Sequence, residues 1–250
     1  MAKYELIRPL ILALDLDETF LQGDAQAKQD LHDLLDSSKE QLRLVYTSHG
    51  SAEELIGLAA KAELPVPDVF LSDSGTTALK GDGSGTIDQL QRNIVQLWPG
   101  KNAVKRLVDS VEGASLLEDD SPCRQAVQYQ SEEDLEALRQ GADDIGCHLV
   151  LRRNNRVDVL PYGVDKGSSL GRWVVEENIT PMHVLAFGES LGDVSLFGRG
   201  WKGVCFPHGP EEMVAEATRF HNVYVAKFDG PAGVIDGLRH HGWVALASTV

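Results

Sequence analysis

Leu12-Ala13-Leu14-Asp15-Leu16-Asp17-Glu18-Thr19 is an apolar run that stops abruptly at two carboxylates. Five residues, Leu10 to Leu14, are apolar without interruption, as expected of a strand buried on both faces of a parallel sheet. Ligand sites in such sheets collect at the carboxyl ends of the strands, where Asp15 and Asp17 fall. Two carboxylates this close repel each other unless a cation lies between them, and a hard divalent ion with oxygen ligands, magnesium above all, resolves the conflict. The competing explanation is that the pair caps a helix or turn.

Downstream, short β-favouring runs alternate with helical patterns. Leu31, Leu34 and Leu35 mark a helix, Leu42 to Tyr46 a strand, Ala52, Leu55, Ile56 and Ala59 a second helix, and Val69 to Ser72 a third strand. The rhythm changes near Thr77. Gly81 to Gly85 reads as a linker, followed by two helical stripes (Ile87, Leu90, Ile94, Leu97; Val104, Leu107, Val108, Val111) with no strand between them. Ala126 to Tyr129, a helix through Leu135 and Leu138, and a predicted hairpin of His148 to Leu151 with Val157 to Leu160 complete a mixed α+β stretch. The α/β alternation resumes after Pro161, with a helix over 168–176, strands over 184–187 and 203–206, and a helix over 211–217. The expected fold is therefore α/β: a doubly wound, Rossmann-like parallel-sheet core of residues 1–79 and 161–250, carrying an inserted α+β cap of residues 80–160.

Strand-end signals recur. Thr47, Ser48, His49 and Gly50 follow the second strand with hydroxyls and backbone N–H groups suited to phosphate oxygens. Gly188 to Asp193 follows a later strand and brings two more carboxylates, Glu189 and Asp193. Lys166 stands at the start of a helix, where a cation opposes the macrodipole and calls for another explanation.

Taken in order, these residues resemble the haloacid dehalogenase superfamily of phosphotransferases: an Asp-x-Asp-x-Thr loop, a Ser/Thr after the second strand, a lysine, and a late acidic loop. The insert between the second and third motifs resembles the type IIB cap. The stretches Asp158 to Gly167 and Pro231 to Leu238 are similar to sucrose-phosphate phosphatases. The resemblance implies a magnesium-dependent phosphatase of a small sugar phosphate. Asp15 would be the nucleophile, Asp17 the general acid and base, and Ser48, His49 and Lys166 the phosphate-site residues. Thr19 would hold the loop, and Asp15, Asp17, Glu189 and Asp193 would serve the metal, Asp193 through water or by orienting Lys166. Two departures stand out. Glu189 replaces the usual aspartate, and Ser48-His49-Gly50 stands where Thr-Gly-Arg is usual. A phosphatase of another glycosyl phosphate (mannosyl-3-phosphoglycerate or glucosylglycerol phosphate), a phosphomutase, and a phosphosugar-binding protein without turnover are the alternatives.

With a formal net charge of −15, nucleic acid and anionic membranes are disfavoured as partners, because like charge repels over about a Debye length. A small anion remains compatible, since a metal and a lysine reverse the field inside one cleft. Arg152, Arg153 and Arg156 form a cationic turn, either solvated or contributing sugar or anion contacts from the cap. Cys123, Cys147 and Cys205 lack CxxC spacing and are expected as buried free thiols. With no leader or membrane span expected, a cytoplasmic monomer or small homo-oligomer is the expectation.

Overall fold

The computed structural model describes residues 3–17, 20 and 23–247. Short strands β1 (Tyr4–Leu6) and β13 (Val244–Leu246) pair antiparallel and tie the two chain ends together. The main sheet has seven strands. Its members are β2 (Leu10–Asp15), β3 (Leu42–Thr47), β4 (Val69–Ser72), β5 (Thr77–Lys80), β10 (Val184–Gly188), β11 (Lys202–Cys205) and β12 (Val223–Val225), in the spatial order β12-β11-β10-β2-β3-β4-β5. All neighbours are parallel except β5, an antiparallel edge strand. The helices α1 (Ala25–Ser37), α2 (Ala52–Lys61), α6 (Lys166–Glu176), α7 (Glu211–Ala217) and α8 (Gly230–His240) connect them.

Alternation along β2 explains the two layers. Leu10, Leu12 and Leu14 join one apolar cluster with Leu31, Leu35 and Leu55, while Ile11 and Ala13 join another with Leu170, Trp173 and Val174. Every residue of β2 is buried, which is why its sequence reads as a continuous apolar run.

A second, four-stranded antiparallel sheet lies apart from the first. It is ordered β6-β7-β9-β8, from β6 (Ser115–Leu116), β7 (Gln125–Gln128), β8 (Cys147–Arg152) and β9 (Arg156–Pro161), and is covered by α4 (Lys101–Asp109) and α5 (Glu132–Asp144). Its own core unites Val104, Leu107, Leu138, Cys147, Val157 and Val159. The expected hairpin is β8–β9, paired from Cys147↔Pro161 to Arg152↔Arg156.

Two expectations on the insert's N-terminal side fare differently. Gly81 to Gly85 is a tight turn rather than a linker: Gly81 N–H donates to Asp68 O and Lys80 N–H to Gly85 O, and Leu79 bridges to Thr86. The helix that follows, α3 (Asp88–Leu97), buries Leu90 and Ile94 in the same cluster as Ile11, Val45 and Leu71, so packing changes hands after α3 and not at residue 80. Cys123, Cys147 and Cys205 are buried and unpaired. Among the described residues no helix is long and apolar enough to cross a membrane.

Candidate active site

Strands β10, β2 and β3 are adjacent and parallel, so their carboxyl ends deliver Gly188, Asp15 and Thr47 to one edge of the sheet. In the β2–β3 register Asp15 stands opposite Thr47, and Thr47 Oγ1 donates to Asp15 Oδ1 at 3.0 Å. The helix α6 starts at the same edge. Asp165 caps it by accepting from Ser168 N–H at 2.6 Å, while Ser168 Oγ accepts from Asp165 N–H, and this box fixes the first turn that carries Lys166. Lys166 is 1% exposed, and its Nζ donates to Asp15 Oδ1 and to Asp193 Oδ1, both at 2.6 Å. Two buried carboxylates supply the reason for a lysine at a helix N-terminus.

Asp193 is committed on both oxygens. Oδ2 accepts from Glu189 N–H at 3.1 Å, Ser190 N–H at 2.8 Å and Ser190 Oγ at 2.7 Å, while Oδ1 faces Lys166. It thus folds its own loop and holds the lysine. Asp15 differs: Oδ1 is pinned by Lys166 and Thr47, and Oδ2 has no hydrogen-bond partner among the described residues. Burial, helped by the charge of Asp193, pushes the Asp15 carboxyl up to about 7 against the opposing pull of Lys166. Burial also acts to raise Asp193, but the charges of Lys166 and His49 outweigh it and hold that carboxyl well below its ordinary range.

Ser48 follows Thr47 and lines the cleft, its Oγ accepting from Gly50 N–H at 3.0 Å; Thr47 is fully buried against Asp15. His49 sits between two hydroxyls, with Nδ1 2.8 Å from Ser74 Oγ and Nε2 3.1 Å from Ser190 Oγ and 3.3 Å from Asp193 Oδ1. Burial first, and then Lys166, press its pKa down to about 4. Ser74 gives its single proton to Asp158 Oδ2 at 2.5 Å, as Ser190 gives its own to Asp193 Oδ2. Ser74 itself holds a φ of 60°, a left-handed conformation that costs a non-glycine residue free energy and that its two side-chain partners offset. Room for the imidazole comes from Gly192, where an added Cβ would lie 2.2 Å from His49 Cε1.

A cleft of about 1170 Å³ opens over this edge, lined from the core by Asp15, Asp17, Ser48, His49 and Glu189, and from the second sheet by Arg124, Arg152 and Asp158. Of the expected metal-site residues, Asp15 and Asp193 meet, each with a ligand atom within 4.8 Å of the other and of His49, while Asp17 and Glu189 line the same cleft. The donor set is dominated by carboxylate oxygen and fits a hard divalent cation. Thr19 lies outside the described residues.

Sequence reasoning did not assign Ser74, Asp158, Ser190 or Arg124 to this site, and it offered Thr47 as a phosphate contact, where the structure turns its hydroxyl to Asp15. Arg124 immediately precedes β7 of the second sheet yet reaches the core loop: it donates to the His49 carbonyl through Nη1, pairs with Asp73 at 3.3 Å, and is held by Asp119 at 3.0 Å from both Nε and Nη2. One signal was readable: Asp158 is a lone charge in the apolar strand Val157-Asp158-Val159-Leu160.

Comparison with known proteins agrees with this geometry. The chain is 31% identical over 238 residues to the glucosylglycerol-phosphate synthase of Pseudomonas anguilliseptica; that match covers 94% of this chain but only 31% of the synthase's length. It is 23% identical to the mannosylfructose-phosphate phosphatase of Agrobacterium fabrum (strain C58 / ATCC 33970), over 94% of this chain and 98% of that one. The sucrose-phosphatase of Synechocystis sp. PCC6803, solved with sucrose and phosphate, shares the fold at a TM-score of 0.84 with 20% identity, covering 95% of this chain and 99% of that one. The sucrose-6F-phosphate phosphohydrolase model matches residues 8–242, nearly the whole chain. The chain accordingly belongs to the sucrose-6F-phosphate phosphohydrolase family.

Proposed function

We propose that this protein hydrolyses the phosphate ester of a small glycoside through an aspartyl-phosphate on Asp15. The observation that carries it is the asymmetry of the Asp15 carboxylate among the described residues: one oxygen is held by Lys166 and Thr47, and the other accepts from none of them and is placed to attack. Asp15 Oδ2 forms a bond to phosphorus as the bond to the sugar oxygen breaks, and Asp17 delivers the proton that the leaving alkoxide takes up. Water then attacks the same phosphorus, passes its proton to Asp17, and returns Asp15 and free phosphate. Ser48, whose Oγ accepts from Gly50 N–H and keeps its own proton to donate, orients a phosphoryl oxygen, and Lys166 holds Asp15 in place. Asp15, Asp17 and Glu189 would hold a magnesium ion, with Asp193 bracing the loop; when bound, such an ion offsets the negative charge spread over the phosphoryl oxygens.

A cleft of about 1170 Å³ is large for a monosaccharide and suits a disaccharide or glycosyl-polyol ester. The names of the relatives point the same way, toward glucosylglycerol phosphate, mannosylfructose phosphate and sucrose phosphate. The cap that closes this cleft comprises residues 100–161, with α3 counted in the core. The test is phosphate release from p-nitrophenyl phosphate and from a panel including those three esters, with and without magnesium, in the wild type and in Asp15→Asn. Turnover is expected only in the wild type and only with magnesium. Substantial turnover by Asp15→Asn would remove Asp15 as the nucleophile, and formation of an isomerised sugar phosphate in place of free phosphate would make the enzyme a mutase.

A further inference from the structure

The strands of the cap carry a charged pair that the motifs of the core do not use. Along β8 and β9, Cys147, Leu149, Leu151, Val157 and Val159 point into the cap's own apolar cluster. The two-residue period of a strand therefore turns Arg152 and Asp158 to the opposite face, and both line the cleft. Asp158 is 3% exposed, and a carboxylate buried that deeply is costly unless it is paired. Its Oδ2 accepts from Ser74 Oγ of the core and, at 2.8 Å, from Arg152 Nη1 of the cap. The hairpin tip that carries Arg152 is itself braced, because Gln128 Nε2 donates to the carbonyls of Asn154 and Asn155 at 2.9 and 2.8 Å.

Arg152 is thus anchored through one nitrogen, while Nε and Nη2 have no acceptor among the described residues, and its side chain is 30% exposed. The other cations here are disposed differently. Lys166 is shared between two carboxylates, all three guanidinium nitrogens of Arg124 are engaged, and Lys61, Arg153 and Arg156 are exposed at the rim. A phosphate dianion entering beside Asp15, Asp17 and Glu189 meets a strongly acidic wall, and a planar guanidinium fork with free donors matches its oxygens. The charge of Arg152 is felt at His49, next to Ser48.

We propose that Arg152 is a phosphate-binding residue supplied by the cap, taking the phosphoryl oxygens of the bound ester, and that Asp158 is the positioning residue that aims it. This assignment rests on the cleft being a phosphate-ester site, as set out above. It makes the anion site a joint product of both sheets, complete only when Asp158 is seated on Ser74.

The experiment is calorimetric titration of inorganic phosphate, in the presence of magnesium, into the wild type, Arg152→Ala, Arg152→Lys, Arg153→Ala and Asp158→Asn, each first checked by thermal melting. Losing a charge-assisted contact is expected to weaken phosphate binding by about tenfold or more in Arg152→Ala. Arg152→Lys should recover only part of that loss, Arg153→Ala should stay within about twofold of the wild type, and Asp158→Asn should fall in between. Arg152→Met, which keeps the apolar stem, separates lost charge from lost packing and should match Arg152→Ala. Phosphate affinity within about twofold of the wild type in Arg152→Ala overturns the assignment, as does an equal loss in Arg153→Ala. A raised KM for the sugar ester with unchanged phosphate affinity also overturns it, since Arg152 would then hold the sugar. Failure of the hydrolase reading looks different: the wild type would bind phosphate but release none from any ester, with the Arg152 comparison still readable.

Discussion

Replacing Lys166 with methionine tests the central clamp of the site, because it removes one charge while keeping most of the side-chain volume. Lys166 is 1% exposed and holds two buried carboxylates at 2.6 Å each. With the ammonium gone, Asp15 and Asp193 face each other with oxygens within 4.8 Å and no cation between them. At an effective dielectric near 20, two unit charges at that separation would repel by about 3.5 kcal/mol, an upper bound because Asp15, already raised to about 7, takes up a proton instead. Breaking a buried pair from one side costs about 3–5 kcal/mol by general experience, because Asp193 is left charged and buried without its cation. We expect Lys166→Met to lower the unfolding free energy by about 3 kcal/mol in urea titrations at pH 7, a large share of the stability of an ordinary domain. Magnesium is expected to return more stability to the variant than to the wild type, since it would bring a cation back beside the two carboxylates. Turnover should fall by at least about a thousandfold, as positioned charge supplies most of the rate in phosphoryl transfer. A loss below about 1 kcal/mol, or a variant that keeps a tenth of wild-type kcat, would refute the clamp.

Three further outcomes follow from the same geometry. In Gly192→Ala the new methyl meets His49 at 2.2 Å, and overpacking of this kind costs about 1–3 kcal/mol; His49→Ala in that background should return much of it, and additive effects of the two changes would argue against the contact. Burial works to raise Asp158, but Arg152, Arg124 and His49 hold its carboxyl below its ordinary value, so its charge stabilises the fold above the unfolded carboxyl pKa near 3.9 and that contribution is lost as pH falls through the lower, folded value. Asp158→Asn should therefore be less stable than the wild type by about 3 kcal/mol at pH 7, with the gap closing toward pH 3; urea midpoints that differ equally at both pH values would contradict this. Glu189→Asp should keep activity, and a collapse of the magnesium dependence measured in the same assay would show that the loop has adapted to the longer side chain.

The parallel core was readable because its strands are buried on both faces and write themselves as unbroken apolar runs, from Leu10 to Leu14, Leu42 to Tyr46 and Val184 to Phe187. Elements that depend on distant partners were not. Strands β1 and β13 span three residues each and exist because Tyr4 pairs with Leu246 across nearly the whole chain. The helix α8 contains Gly230, Pro231, Gly233 and Gly237, a composition that intrinsic propensity scores poorly. Its glycines earn their place by proximity: a Cβ on Gly233 would lie 2.9 Å from Phe206, and one on Gly237 2.6 Å from Val204. The stripe of α3 told that a helix has an apolar face, but a stripe carries no record of which sheet it covers, and Leu90 and Ile94 pack in the cluster of the main sheet.

The site divides along the same line. Asp15, Lys166 and Asp193 were legible because each breaks a local rule, as a charge ending an apolar strand, a cation at a helix N-terminus and a carboxylate in a glycine loop, and local rules are broken where function requires it. Ser74, Asp158 and Arg124 break such rules faintly or not at all, and their chemistry exists only through partners far away in sequence, 84 residues for Ser74 with Asp158 and 75 for Arg124 with the His49 carbonyl. Both contacts run from the cap sheet to the loop that holds Ser48 or its immediate neighbour. Gly50 stands where the resemblance leads one to expect an arginine, so this loop brings no guanidinium to the cleft, and His49, at the position of the usual glycine, has its ring enclosed by Ser74, Ser190 and Gly192. A guanidinium is nevertheless present in the cleft, carried in by Arg152 from the opposite sheet. The departure in the core motif and the charged pair in the cap are therefore two halves of one arrangement, in which cation supply has moved from the rigid loop to the element that closes over it.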